Sequence, residues 1–366
     1  MGNGHQASGP RAAIGNSPRP RPTVADSDAK VKHLLQRFRK RWRLVTTGLL
    51  VSAFVGANVV AWLHARAMSR FGRAGERTAP PEKLGAFAKA QVLLTGVTLT
   101  RPENRRTPKE AGLEFQTVTF PGAKGIQVEA WFVPGSSTTN GVVLLFHGYG
   151  ASKESLLSPA VEFHALGWDT LLVDFHGSGG SAGDTTSVGW HEAEDVAAAF
   201  AEAARLAPGK PRVLYGVSMG AAACLRAIHA HGVKPDALIV ECPFDRMLTT
   251  VRSRFRAMRV PSFPFAELLV FWGGQQGSFD AFAHNPVYYA HSVQCPTLFM
   301  HGEKDPRVAV AEVENIYAVV DGAKTLKVFA GLGHQSYGEA NPEDWREEVA
   351  GFLKGKYAKP PHGPRF

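Results

Sequence analysis

A serine framed by glycines, GVSMG at residues 216–220, lies between an apolar run, VLYG (213–216), and the helix-forming stretch AAACLRAIHAHG. In that setting Ser218 takes the apex of an abrupt strand-to-helix turn, where side chains on its neighbours would collide and glycine relieves the crowding. A hydroxyl presented this way becomes a nucleophile once a base removes its proton. The helix that follows also points its positive dipole end at any charge developing there.

A base and an acid are available further along the chain. His334 ends GLGH after the run TLKVFA (325–330), and Asp305 ends GEKD after TLFMH (297–301). A histidine in a glycine-rich turn can approach a serine. A carboxylate on its other nitrogen then fixes the tautomer and stabilises the imidazolium. Asp305 is the expected partner, and Asp245, which follows ALIVECPF, is the alternative acid because it too comes after a strand. The turn FHGYG (146–150) should aim backbone amides at the same point. The N–H groups of Tyr149 and Met219 are the expected oxyanion hole, each donor worth about 3 kcal/mol in the transition state. His147 reads as an orienting residue for that loop.

These residues need a scaffold. FQTVTF (115–120) and IQVEAWFV (126–133) read as a strand hairpin, followed by VVLLFH, TLLVDF, VLYG, ALIVE, TLFMH and TLKVFA. Such short, branched apolar runs mark central parallel strands. Helical stretches at 154–166, 192–206, 219–231, 310–320 and 342–354 alternate with them. This rhythm predicts a mostly parallel sheet covered on both faces. The interval 242–296 is too long for a plain connection and reads as a helical insertion beside the sheet's C-terminal edge.

HGYG, DFHGSGGSAG (174–183), GVSMG, HGEKD and GLGH, in this order, resemble the α/β-hydrolase superfamily, in its serine aminopeptidase-like and prolyl-oligopeptidase-like esterase branch. The resemblance covers about residues 114–355. It implies an α/β fold with an eight-stranded sheet whose strand 5 carries Ser218, whose strand 7 carries Asp305 and whose last strand precedes His334. It does not imply peptidase activity. Within DFHGSGG, Asp174, His176 and Ser181 are expected to hold turns, and Asp195 to order nearby backbone. Cys224 reads as an inert core residue, and Cys242 lies nearer the pocket without an evident activating pair.

Composition narrows the function classes. Three cysteines give no closed disulfide framework, and no His/Cys group has zinc-ligand spacing, so neither a metal nor a cofactor is expected. The net charge of +9 is unevenly placed: residues 1–77 hold 14 of the 41 Lys/Arg and 3 of the 32 Asp/Glu, leaving 27 and 29 for the rest. The folded part therefore lacks the basic patch of a nucleic-acid binder. Residues 44–63 carry no formal charge, about one bilayer thickness of helix. Arg37, Arg39, Lys40, Arg41 and Arg43 precede them, and Trp42 and Trp62 sit near the ends. Those features predict a transmembrane signal-anchor helix with the N-terminus cytoplasmic and the large domain across the cell membrane. Ala65-Arg66-Ala67 also has the small-x-small form of a cleavage site.

The expected organisation is a disordered basic tail (1–43), the anchor (44–63), a linker (64–110) and the hydrolase domain (111–357) with a cap at about 246–292. In the cap, Phe265, Phe271 and Trp272 are candidate wall residues for an acyl pocket. Arg246, Arg252, Arg254, Arg256 and Arg259 are candidates to meet an anionic head group. The expected activity is hydrolysis of small or lipid-like carboxylic esters through an acyl-enzyme. Serine aminopeptidase or amidase action and a noncatalytic membrane-tethered binding domain are the alternatives.

Overall fold

The structure, a computed structural model, describes Met1 and residues 24–72, 76–135 and 139–356. Of the expected disordered tail, residues 2–23 lie outside this range, while helix α1 (Val24–Ser69) already begins well before the apolar segment. The chain divides into two compact units, Met1–Gly56 and Ala57–Phe366.

In the first unit the apolar side chains Leu44, Leu49, Leu50 and Phe54 are exposed along α1. Lys32–Ser69 is long and apolar enough to cross a membrane. In the second unit the region expected to be a linker carries α2 (Ala86–Thr95). The strands are β1 (Gln116–Pro121), β2 (Gln127–Val133), β3 (Val142–Phe146), β4 (Asp169–Val173), β5 (Arg212–Val217), β6 (Ala237–Glu241), β7 (Thr297–Gly302) and β8 (Lys324–Phe329). They form one sheet in the order β1-β2-β4-β3-β5-β6-β7-β8. β1 and β2 pair antiparallel as a hairpin, β2 runs antiparallel to β4, and every other pairing is parallel.

The remaining helices are α3 (Leu157–Ala165), α4 (Glu192–Leu206), α5 (Met219–His231), α6 (Met247–Met258), α7 (Phe265–Gly277), α8 (Pro286–Tyr289), α9 (Val310–Val319), α10 (Tyr337–Ala340) and α11 (Pro342–Gly351). Side chains alternate across a strand, so one run of apolar residues feeds two cores. Val142, Leu144 and Phe146 of β3 pack with Val196 of α4, Leu225 of α5 and Ile316 of α9. Val143 and Leu145 face the other way, onto Phe163 of α3 and Trp345 of α11. The parallel register aligns the strand ends: Gly216 stands opposite Phe146, and Glu241 opposite both Val217 and Met300. The turns that leave β3, β5, β6 and β7 therefore gather at one edge of the sheet. Helices α6 and α7, with α8, form the insertion beside it.

Candidate active site

Ser218 stands between β5 and α5 with φ 51° and ψ −107°, a backbone region that L-residues avoid. The surroundings hold it there. The Ser218 amide donates to the Glu241 carbonyl at 2.8 Å, and its own carbonyl accepts from Ala222 at 3.1 Å. The flanking glycines are required by space. A Cβ on Gly216 would fall 2.7 Å from the Ala221 nitrogen, and one on Gly220 would fall 2.3 Å from the Phe146 oxygen. Strain of this kind is stored where a reactive group has to project.

His334 Nδ1 donates to Asp305 Oδ2 at 2.6 Å. The Asp305 side chain is fully buried and its other oxygen accepts the amides of Arg307 (2.8 Å) and Val308 (3.0 Å). Burial works against its ionisation, but the bond and charge of His334, with those amides, outweigh it and hold its pKa below the usual carboxylate value. A proton kept on Nδ1 leaves Nε2 free to act as a base. Asp245 is elsewhere: it is buried against Arg246 (2.6 Å) and Asn315 (3.1 Å), so the alternative acid is occupied by other partners. Glu303 accepts the Gly331 amide at 2.8 Å and shapes the turn before His334.

Ser218 and His334 line a cavity of about 560 Å³, together with Gly148, Tyr149, Glu241 and Cys242. The loop after β3 comes close: a Cβ on Gly148 would lie 3.8 Å from that of Ser218. Met219 opens α5, so its amide has no carbonyl one turn back to meet. Tyr149 donates its hydroxyl to the Met68 carbonyl at 2.5 Å, and burial pushes its pKa up to about 12. His147 is fully buried and its Nε2 accepts the Phe175 amide at 3.2 Å, which ties the loop to the end of β4.

Cys242 Sγ lies 3.9 Å from His334 Nε2. Burial and the nearby Asp305 and Glu241 charges push the thiol well above its ordinary pKa, so it stays protonated. The ligand atoms of Cys242, Asp305 and His334 lie within 4.8 Å of one another. Asp305 sits on one ring nitrogen of His334 and Cys242 near the other.

The cap differs from its sequence reading. Phe265, Phe271 and Trp272 do not line this cavity; Arg254, Phe255 and Met258 of α6 and Leu269 of α7 do. The reason lies in helix geometry. The buried stripe of α7 is Ala266, Val270 and Gly274, and Phe265, Phe271 and Trp272 fall off it. Phe265 and Phe271 are left exposed, and Trp272 donates to Asn58 at 3.2 Å.

The region expected to be a linker supplies wall residues that the sequence reading missed, among them Arg77, Leu84, Val92, Val97 and Leu99. The apolar run QVLLTGV (91–97) was their signal, too short for a clear period. Asp174, His176, Ser181 and Asp195 lie outside the cavity and hold turns. Lys153 bonds Glu129 (2.7 Å) and Asp174, and Ser181 donates to the Asp174 carbonyl (2.7 Å). Asp195 accepts the Ala123 amide at 2.7 Å.

Residues 137–286 match the family model described as serine aminopeptidase, S33. The uncharacterized protein YqkD of Bacillus subtilis is 27% identical over 244 residues, 66% of this chain and 80% of that protein. The lysophosphatidylserine lipase ABHD12 of Danio rerio is 25% identical over 207 residues, 54% of this chain, so the chain spans about half the length of that relative (51%). Among solved structures, the Pyrococcus furiosus esterase Pf2001 is similar in fold, with a TM-score of 0.58 at 22% identity, covering 71% of this chain and 99% of that one. By sheet order and likeness to solved structures, the chain has the α/β-hydrolase fold.

Proposed function

We propose that the chain is a membrane-anchored serine esterase with Ser218, His334 and Asp305 as its catalytic residues. The observation that carries this reading is the meeting in one cavity of a serine on a strained strand-to-helix apex and a histidine bonded through Nδ1 to a buried carboxylate. His334 Nε2 takes the Ser218 proton as Oγ adds to the ester carbonyl. The amides of Tyr149 and Met219 hold the oxyanion. His334 then returns the proton to the departing alcohol, leaving an acyl-serine. Water, deprotonated by the same nitrogen, adds to the acyl carbon and releases the acid with Ser218 restored. The balance requires no cofactor.

The substrate reading rests on the walls. Leu84, Val92, Val97, Leu99, Met258 and Leu269 make a mostly apolar lining suited to an acyl chain. The lipase name of the zebrafish relative favours the same substrate type. The long helix α1, with its exposed leucines and its basic flank, supports a single-pass anchor with the N-terminus cytoplasmic and the hydrolase domain outside. The serine aminopeptidase description of the matching family model supports a second reading, cleavage of an aminoacyl amide.

The test is an assay on washed membranes carrying the full chain, with medium-chain esters and matched aminoacyl amides. Esterase activity that sediments with the membranes, exceeds amide cleavage by at least about tenfold and disappears in Ser218→Ala is the expected outcome. Equal cleavage of amide and ester would move the assignment to the peptidase reading. Activity recovered in the soluble fraction would remove the anchor, and activity retained by Ser218→Ala would remove the nucleophile.

A further inference from the structure

Five arginines cluster around α6, and the structure separates them. Arg246 is bonded to Asp245 and Arg252 to Glu267, while Arg256 and Arg259 are exposed. Arg254 alone of the five lines the cavity that holds Ser218 and His334. Its guanidinium carbon lies 5.7 Å from the centroid of the Tyr149 ring, beside the loop that approaches Ser218. Among the described residues no carboxylate is within ion-pair distance of it, and Glu82 acts on it only at longer range.

The other two cavity arginines are already engaged. Arg77 donates to the Gly150 carbonyl, and Arg307 reaches Glu82 at 2.7 and 2.9 Å. The carboxyl in the lining, Glu241, accepts from Tyr215 and Trp345, both at 2.7 Å. Burial pushes its pKa up to about 7. The wall therefore presents an excess of fixed positive charge: Arg77 bonds only a carbonyl, and the one carboxylate near Arg254, Glu82, is hydrogen-bonded to Arg307. Burial pulls Arg254 below the ordinary arginine pKa, Tyr149 and Glu82 oppose that and Arg307 adds to it; an arginine remains charged even so. Holding such a charge partly desolvated is costly unless an anion arrives to meet it.

From this geometry we infer that Arg254 is a substrate-binding residue for an oxyanion, and that the site takes single-chain acyl esters whose head carries a phosphate or a carboxylate. The planar fork offers two parallel N–H groups to such a head, next to the loop that would hold the ester oxyanion. The acyl chain then lies along the apolar wall of α2 and the segment around it. This inference rests on the reading of Ser218 as the nucleophile.

The experiment uses the full chain in detergent micelles and three esters with one acyl chain: a neutral monoacylglycerol, the same ester bearing a glycerol phosphate, and one ending in a carboxylate. Values of kcat/KM are measured for wild type, Arg254→Gln and Arg254→Lys, with fluorophosphonate labelling to show that each variant is folded. We expect wild type to prefer at least one anionic ester about 10- to 100-fold, the range of a charge-assisted hydrogen bond. The preference should collapse towards one in R254Q, mainly through KM, and recover in part in R254K. Wild type with no preference for either anion overturns the inference even if R254Q fails to fold. An anionic preference that survives in folded R254Q overturns it as well. Turnover of all three esters at one rate removes this inference alone, whereas turnover of none removes the Ser218 reading with it.

Discussion

Among the described residues, two histidines meet a carboxylate through Nδ1 at 2.6 Å: His334 with Asp305, and His176 with Asp195. Their surroundings give them different work. His334 faces a cavity with its second nitrogen, whereas His176, in the turn after β4, and Asp195, in the first turn of α4, are both buried. Burial opposes a charge on His176, but Asp195, with Glu192 and Glu194 nearby, raises its pKa to about 9. Because that value lies above the unfolded one, the stability from its proton is complete below about pH 6.5 and is lost as pH climbs through about 9. On the order of 3 kcal/mol is at stake. The unfolding midpoint of wild type should therefore fall between pH 6.5 and 9, and His176→Gln should flatten that slope. Equal slopes in the two proteins would contradict this account of the pair.

The candidate residues Ser218, Asp305 and His334 stand out in the sequence because each sits in a turn whose glycines follow an apolar strand. Arg254 could be seen there only as one of five arginines. Which one reaches a cavity depends on how α6 is rotated against the sheet, and neighbouring residues in sequence do not carry that information.

At the scale of elements, the turn from β5 into α5 depends on glycines that leave no room for a side chain. Gly220→Ala would drive a methyl against the Phe146 carbonyl, while Gly273, within α7, has open space around its Cβ position. Urea unfolding should show G220A destabilised by about 3 kcal/mol or more, and G273A unchanged or stabilised by up to about 1 kcal/mol. Comparable stability of G220A and wild type would mean that the turn is looser than described.

The same scale shows what periodicity can and cannot give. Helices α4 and α5 end where their apolar patterns end, and all eight strands coincide with apolar runs to within a residue or two. Helix α2 was missed because ten residues with a weak stripe look like connecting chain. In α7 the pattern found a helix but not its partner. Small residues make its buried face, so the large aromatics that attracted attention point elsewhere.

At the scale of the whole chain, charge and hydropathy divide the labour. The basic N-terminal segment and the apolar stretch of α1 make up the proposed anchor, and a nearly neutral α/β domain holds the candidate site. The eight-stranded order brings the turns after β3, β5 and β7 to one edge, which is why residues as distant in sequence as Gly148, Ser218 and Asp305 can act together. The central claim is that Ser218 is an activated nucleophile. Its most direct test is reaction of the detergent-solubilised full chain with a fluorophosphonate, followed by mass analysis of the peptide containing residue 218. The account predicts one phosphonyl group on Ser218 in wild type, none in Ser218→Ala, and labelling slowed by about a thousandfold or more in His334→Ala. Folded wild-type protein that stays unlabelled, or a label that persists in Ser218→Ala, would contradict it.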